Sequence, residues 1–138
     1  MDRIVIIERA EIIVWYHPDQ RMIHHEMRGY CYDEPLRAAF LAGLEAMTKY
    51  EAQKWLSDDR ANGALSLEDE AWVFHTWFPA AAAAGWKYWA HVLPERVVER
   101  MPRFVELSRQ AGVTLRVFTE LDPAFDWLGD PSLGRREP

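Results

Sequence analysis

From residue 54 onward the chain alternates. Runs rich in β-branched and aromatic residues at 54–57, 86–93 and 113–118 are separated by segments of helical periodicity. Strands joined through helices run parallel, and each crossover is right-handed, so this part of the chain is restricted to an α/β sheet covered by helices. The N-terminal part obeys a different rule. Residues 3–8 and 11–16 are β-branched runs separated by Arg9-Ala10, a spacing that suits a tight hairpin. His17-Pro18-Asp19-Gln20 carries turn chemistry, and 21–28 returns as a third strand of an antiparallel meander. The predicted fold is α/β with the order β-β-β-α-β-α-β-α-β-α and one mixed six-stranded sheet, antiparallel at its start and parallel afterwards.

Helix signals punctuate this order. Asp33 is the expected N-cap of a first helix with Pro35 in its opening turn, and Leu36, Phe40, Leu44 and Met47 form its core stripe. Ala39 and Gly43 lie beside that stripe and allow close packing on the sheet. Ser66, with Asp69 three residues on, opens a second helix as a variant capping box, and Leu67, Ala71, Phe74 and Phe78 are its expected buried stripe. Pro79 should kink or restart this helix, and Gly85 should end it. A third helix over 95–111 is expected to bend at Pro102, and Asp122-Pro123 should cap a short last one. The reading is a single domain over 1–129, with 130–138 a flexible tail that has Pro, Gly and charge but no periodicity.

Composition excludes several function classes. A formal charge of −6, with no basic cluster apart from Arg135-Arg136, opposes nucleic-acid binding. No apolar run approaches the length of a membrane span. Cys31 is the lone cysteine, so no intramolecular disulfide forms, and with no signal peptide in evidence the expected location is the cytoplasm. Neither a metal signature nor a phosphate loop occurs, and no cofactor is expected. In the third strand, His24 and Glu26 share one face and His25 the other, so the two histidines cannot chelate one ion together. The expected setting for His24 and Glu26 is a solvated polar face.

The crevice beyond the carboxyl end of a parallel strand is where α/β ligands bind, which directs attention to Ser57, Asp58, Asp59 and Arg60. Adjacent carboxylates in extended chain point apart, so one is expected to cap the loop or pair with Arg60 while the other faces water. His91 interrupts a strand that should be apolar throughout, and a hydrogen-bonded core role is expected for it. The chain has seven Trp, six Phe and five Tyr. Trp72 and Trp77 on the second helix, with Trp55 and Trp89 on neighbouring strands, could wall an apolar pocket, pack as core, or form a self-association surface.

Trp55-Leu56-Ser57-Asp58-Asp59-Arg60, Trp77-Phe78-Pro79 and Ala90-His91-Val92-Leu93-Pro94, set in this order of elements, resemble the small bacterial STAS-like proteins, relatives of the sporulation anti-sigma factor antagonist. The resemblance extends to about Trp127. It implies a regulatory, non-enzymatic domain that binds a protein partner or itself. In the family's regulators a serine between strand and helix is phosphorylated within an Asp-Ser-Ser-Gly pattern. Here that pattern is missing, Ser57 precedes the acids, and Ser66 stands at the helix cap. Two further readings stand beside the first: a binder of a small apolar or amphipathic ligand in a Trp-lined pocket, and an enzyme centred on Asp58, Asp59 and Arg60.

Overall fold

A computed structural model describes residues 2–62 and 65–133. Six strands, β1 (Ile4–Glu8), β2 (Ile12–His17), β3 (Met22–Met27), β4 (Lys54–Asp58), β5 (Tyr88–Val92) and β6 (Thr114–Phe118), form one sheet in sequential order. β1, β2 and β3 pair antiparallel, and β3 through β6 pair parallel. The expected mixed sheet is therefore present, and the carboxyl ends of four strands lie together at one edge.

One face of the sheet carries the main core. Its central row reads Tyr16, Ile23, Trp55, Trp89 and Leu115 across five strands, and the next row reads Val14, His25, Ser57, His91 and Val117. Helix α1 (Asp33–Tyr50) covers this face beside the meander. Gly43 lets it approach closely: a Cβ there would lie 2.2 Å from Cη2 of Trp55. Asp33 is the first residue of α1, with φ of 55°, and Tyr32 holds the cap position; the Asp33 N–H is satisfied across the fold by Asp69. The opposite face bears Met22, Leu56, Ala90 and Val92 under a single helix, α6 (Leu121–Leu128). Asp122 lies inside its first turn, and Glu120 is the cap.

The segment after β4 departs most from simple periodicity. Helix α2 (Leu67–Trp72) runs into a π turn over Val73–Trp77 and then into α3 (Phe78–Ala83). Phe78 N–H bonds the carbonyl of Val73, five residues back, so the turn widens just before Pro79, whose ring would clash with a carbonyl in the α register. The helix restarts at the expected proline. Phe78 is buried as expected, with Trp77 and Ala81 beside it, but the start of the stripe is different: Leu67 is 86 % exposed and Ala71 is exposed, whereas Asp69 and Val73 are buried. Asp69 sets this rotation because it accepts from Ser66 Oγ and Asp33 N–H and lies 3.5 Å from the Arg37 guanidinium, which turns Leu67 outward.

The third helix is split rather than bent, into α4 (Glu95–Val98) and α5 (Pro102–Gln110), with Pro102 at the start of the second piece. Residues 131–133 form a turn, and 134–138 of the anticipated tail lie outside the described residues.

Candidate functional site

Alternation along β4 points Trp55, Ser57 and Asp59 to the same side, and the parallel register places His25 and His91 on either flank of Ser57. Asp59, just past the strand, is anchored by its N–H to the Val92 carbonyl at 2.9 Å. Its carboxylate reaches back between the two imidazoles: Oδ1 lies 2.6 Å from His25 Nε2 and Oδ2 lies 2.5 Å from His91 Nε2. Three adjacent strands thus contribute one His–Asp–His cluster.

Hydrogen-bond chemistry assigns the tautomers. The indole N–H of Trp55 can only donate, and it lies 3.0 Å from His25 Nδ1, so that nitrogen accepts and Nε2 carries the proton given to Asp59. His91 Nδ1 is buried with no partner among the described residues. An ionised carboxylate only accepts, so the contact with Asp59 Oδ2 needs a proton on His91 Nε2. The His91 ring stacks on Trp89 at 5.1 Å and 20°, and the Trp89 indole N–H donates to Ser57 Oγ at 2.9 Å. Burial pushes the Asp59 carboxyl up, but the electrostatic pull and hydrogen bonds of His25 and His91 overcome it and hold the group well below the usual carboxylate range.

This cluster forms part of the wall of a cavity of about 240 Å³ at the carboxyl end of β4 and β5. Its apolar lining includes Phe74, Trp77, Trp86, Trp89, Met101 and Phe104, and Ser57, Asp59, Asn62, Glu70, His91 and Arg100 are its polar points. The π turn contributes Val73, Phe74 and Trp77, and Trp77 is held in place by its N–H donation to Phe40 O at 2.8 Å. Asn62 ties the loop after β4 to the chain before α1 through Cys31 N–H and O, each at 3.4 Å.

The residues singled out from the sequence divide among these surroundings. Ser57, Asp59 and Trp77 line the cavity. Asp58 points to the other side of the sheet, is buried, and forms a two-pronged pair with Arg60 at 2.8 Å for each prong. The expected pairing of one acid with Arg60 holds, but the other acid does not face water; it lies between two imidazoles. Ser66 caps α2: its Oγ accepts from Asp69 N–H at 3.1 Å and donates to Asp69 Oδ2 at 3.0 Å. Trp72 lies half-buried beneath the Arg37 guanidinium at 5.4 Å, outside the cavity lining, and Trp55 is core.

The polar face expected for His24 and Glu26 is also corrected. His24 is 2 % exposed, and its Nδ1 meets His17 Nε2 at 2.9 Å, with the Phe125 ring nearly perpendicular to both imidazoles. Glu26 instead lies 3.6 Å from Arg28. Burial pushes His24 down to about 2, with smaller electrostatic contributions from the neighbouring His17, His25, Arg3 and Arg60. Burial and Arg3 lower His17 as well. Among the described residues no group of three or more His, Cys, Asp or Glu side chains is placed to hold a metal ion, and no helix is long and apolar enough to cross a membrane.

Sequence reasoning missed His25, and with it cavity-lining residues such as Glu70, Trp86 and Phe104. The signal for His25 is a parity match, with His25, Ser57 and His91 all inward, and this becomes visible only once β3, β4 and β5 are known to be neighbours in register. No protein-family model, curated protein or solved structure matches this chain.

Proposed function

We propose that the chain is a STAS-like domain that binds a small, largely apolar ligand in the cavity at the carboxyl end of β4 and β5. One observation carries this reading: a mostly apolar hollow of about 240 Å³, walled by three tryptophans, converges on the few polar groups Ser57, Asp59 and His91. Small-molecule sites have this composition, and drug-sized ligands occupy pockets of roughly 300–1,000 Å³, so the ligand here is smaller. The Asp59 carboxylate and the Ser57 hydroxyl orient it, and the rings supply its contact area. The proposed role is binding rather than catalysis. A cytoplasmic location accords with the single buried thiol of Cys31.

The test is native mass spectrometry of protein purified from its own cells, followed by titration of small neutral apolar compounds monitored by intrinsic tryptophan fluorescence. Saturable quenching that Phe74→Trp abolishes by filling the cavity is the expected result. Absence of any adduct and of any saturable change would refute the reading.

A second reading has its own observation. The rings of Tyr30 and Tyr32 meet at 4.9 Å, tilted by 36°, while 60 % and 55 % exposed, and Leu67 stands out from the first turn of α2. These side chains suit a contact with a protein partner or a second copy. Sedimentation velocity of Tyr32→Ser and Leu67→Ser against the parent chain tests self-association, and identical monomeric profiles would exclude it.

A further inference from the structure

β1 is an open edge of the sheet. It pairs with β2 alone, so its outer side carries backbone N–H and C=O groups without a strand partner, and its Ile-Val-Ile-Ile-Glu run has no Lys or Pro to blunt it. Val5 is 53 % exposed, and Ile4 is exposed beside it. Charges flank this apolar run in a definite order, Asp2 and Arg3 before it and Glu8 and Arg9 after it. Arg3 lies over the Trp15 ring at 4.0 Å, and no ion pair engages it among the described residues. Glu8 meets Arg28 at 2.8 Å from an exposed position, which leaves its carboxylate lone pairs for a second donor.

The bulge in β1 decides what this edge can pair with. Ile4 and Ile7 would fall on opposite faces of an unbulged strand, but the register shift at Ile6 sets them opposite Tyr16 and Val14, both on the main-core face. Val5 and Glu8 stand opposite Trp15 and Ile13 on the other face, where Arg3 also lies. A two-fold axis normal to the sheet keeps every side chain on its own face, so residues facing each other across it must share a face. An axis at Val5 meets this condition: it sets Val5 against Val5, Ile4 against Ile7, Arg3 against Glu8 and Asp2 against Arg9 of the second copy. The neighbouring registers that keep the faces set Arg3 or Glu8 opposite Val5 and lose both charged pairs. Edge bulges commonly discourage pairing; this one brings a charge-complementary edge into a register that two-fold symmetry allows.

We propose that β1 pairs antiparallel with β1 of a second copy about an axis at Val5, joining two sheets into one. None of the cavity lining belongs to β1, so this contact leaves the ligand site open. It uses neither Tyr32 nor Leu67.

The test is sedimentation velocity from micromolar to millimolar concentration, with circular dichroism to establish that each variant is folded. The parent chain should sediment as a concentration-dependent dimer. Val5→Lys sets two ammonium groups against each other at the axis and should weaken association at least about 10-fold. Arg3→Glu and Glu8→Arg each turn two attractive contacts into repulsive ones, so each alone should be monomeric where the parent is dimeric. An equimolar mixture of the two should dimerise, because each Glu at these positions then faces an Arg. A parent chain that stays monomeric throughout, a dimer that Val5→Lys leaves intact, or a mixture no more associated than its two components would overturn the inference.

Discussion

Lowering the pH from 7.5 to 5.0 should cost this protein about 2 kcal/mol of stability through His24 alone. An unfolded chain exposes His24 to water, where its imidazole titrates near the ordinary value of about 6.5. In the fold the ring is 2 % exposed, flanked by Trp15, His17 and Phe125, with Nε2 unpartnered among the described residues, and its pKa is pushed down to about 2. Between those values the unfolded state binds a proton that the native state refuses. Stability is therefore fully present above the unfolded pKa and falls as the pH drops below it, by about 1.4 kcal/mol per unit. At pH 5.0, about 1.5 units below the unfolded pKa, the loss is about 2 kcal/mol. Urea titrations followed by tryptophan fluorescence at both pH values measure it, and His24→Leu isolates it. Leucine suits the apolar surroundings and does not titrate, while the half-buried His17 left behind still reaches water. The pH-dependent loss in the parent should exceed that in His24→Leu by about 2 kcal/mol, and a difference below about 0.5 kcal/mol would refute the reasoning.

Three further outcomes follow from packing. Gly43→Ala should destabilise by about 2 kcal/mol despite a helix-propensity gain of about 1 kcal/mol, because its Cβ meets the buried indole of Trp55 at 2.2 Å; an unchanged or raised midpoint in urea would contradict this. Asp69→Ala should cost about 2–3 kcal/mol, since it strips the Asp33 N–H of its acceptor and removes the Ser66 contact, and amide exchange should accelerate first in 66–72. Burial, together with Glu11, Asp59 and Asp69, pushes the Cys31 thiol up to about 12, and the side chain is buried, so it should resist a disulfide reagent at pH 8 until urea unfolds the chain. Rapid stoichiometric labelling of the native protein would show the thiol to be open.

Much of this molecule is local and so was legible in the sequence. The β-branched meander, the strand and helix alternation from β4 to β6, the Ser66 cap and the restart at Pro79 each depend on residues within one turn or one strand of each other, where propensity, capping and the proline ring act directly. The pairing of Asp58 with Arg60, two residues apart, belongs to the same class. Periodicity failed where a long-range polar contact outweighed it: Asp69, drawn inward by Asp33 and Arg37, rotates α2 and leaves Leu67 in water. It failed again at His24, which reads as polar by residue type but is sealed beneath Phe125 of a helix about a hundred residues later.

The His25–Asp59–His91 cluster shows the division most clearly. Sequence alone determined that His25 shares a face of its strand with Ile23 and Met27, because parity along a strand is local, whereas Asp59, just past β4, reads from sequence as a carboxylate that caps the loop, pairs with Arg60 or faces water. Only the tertiary structure decided that β3, β4 and β5 are neighbours in a register that brings His25 and His91 to either side of Asp59. Strand order and register are set by how three distant segments bury one continuous apolar face, and no local pattern encodes a contact across 34 or 32 residues.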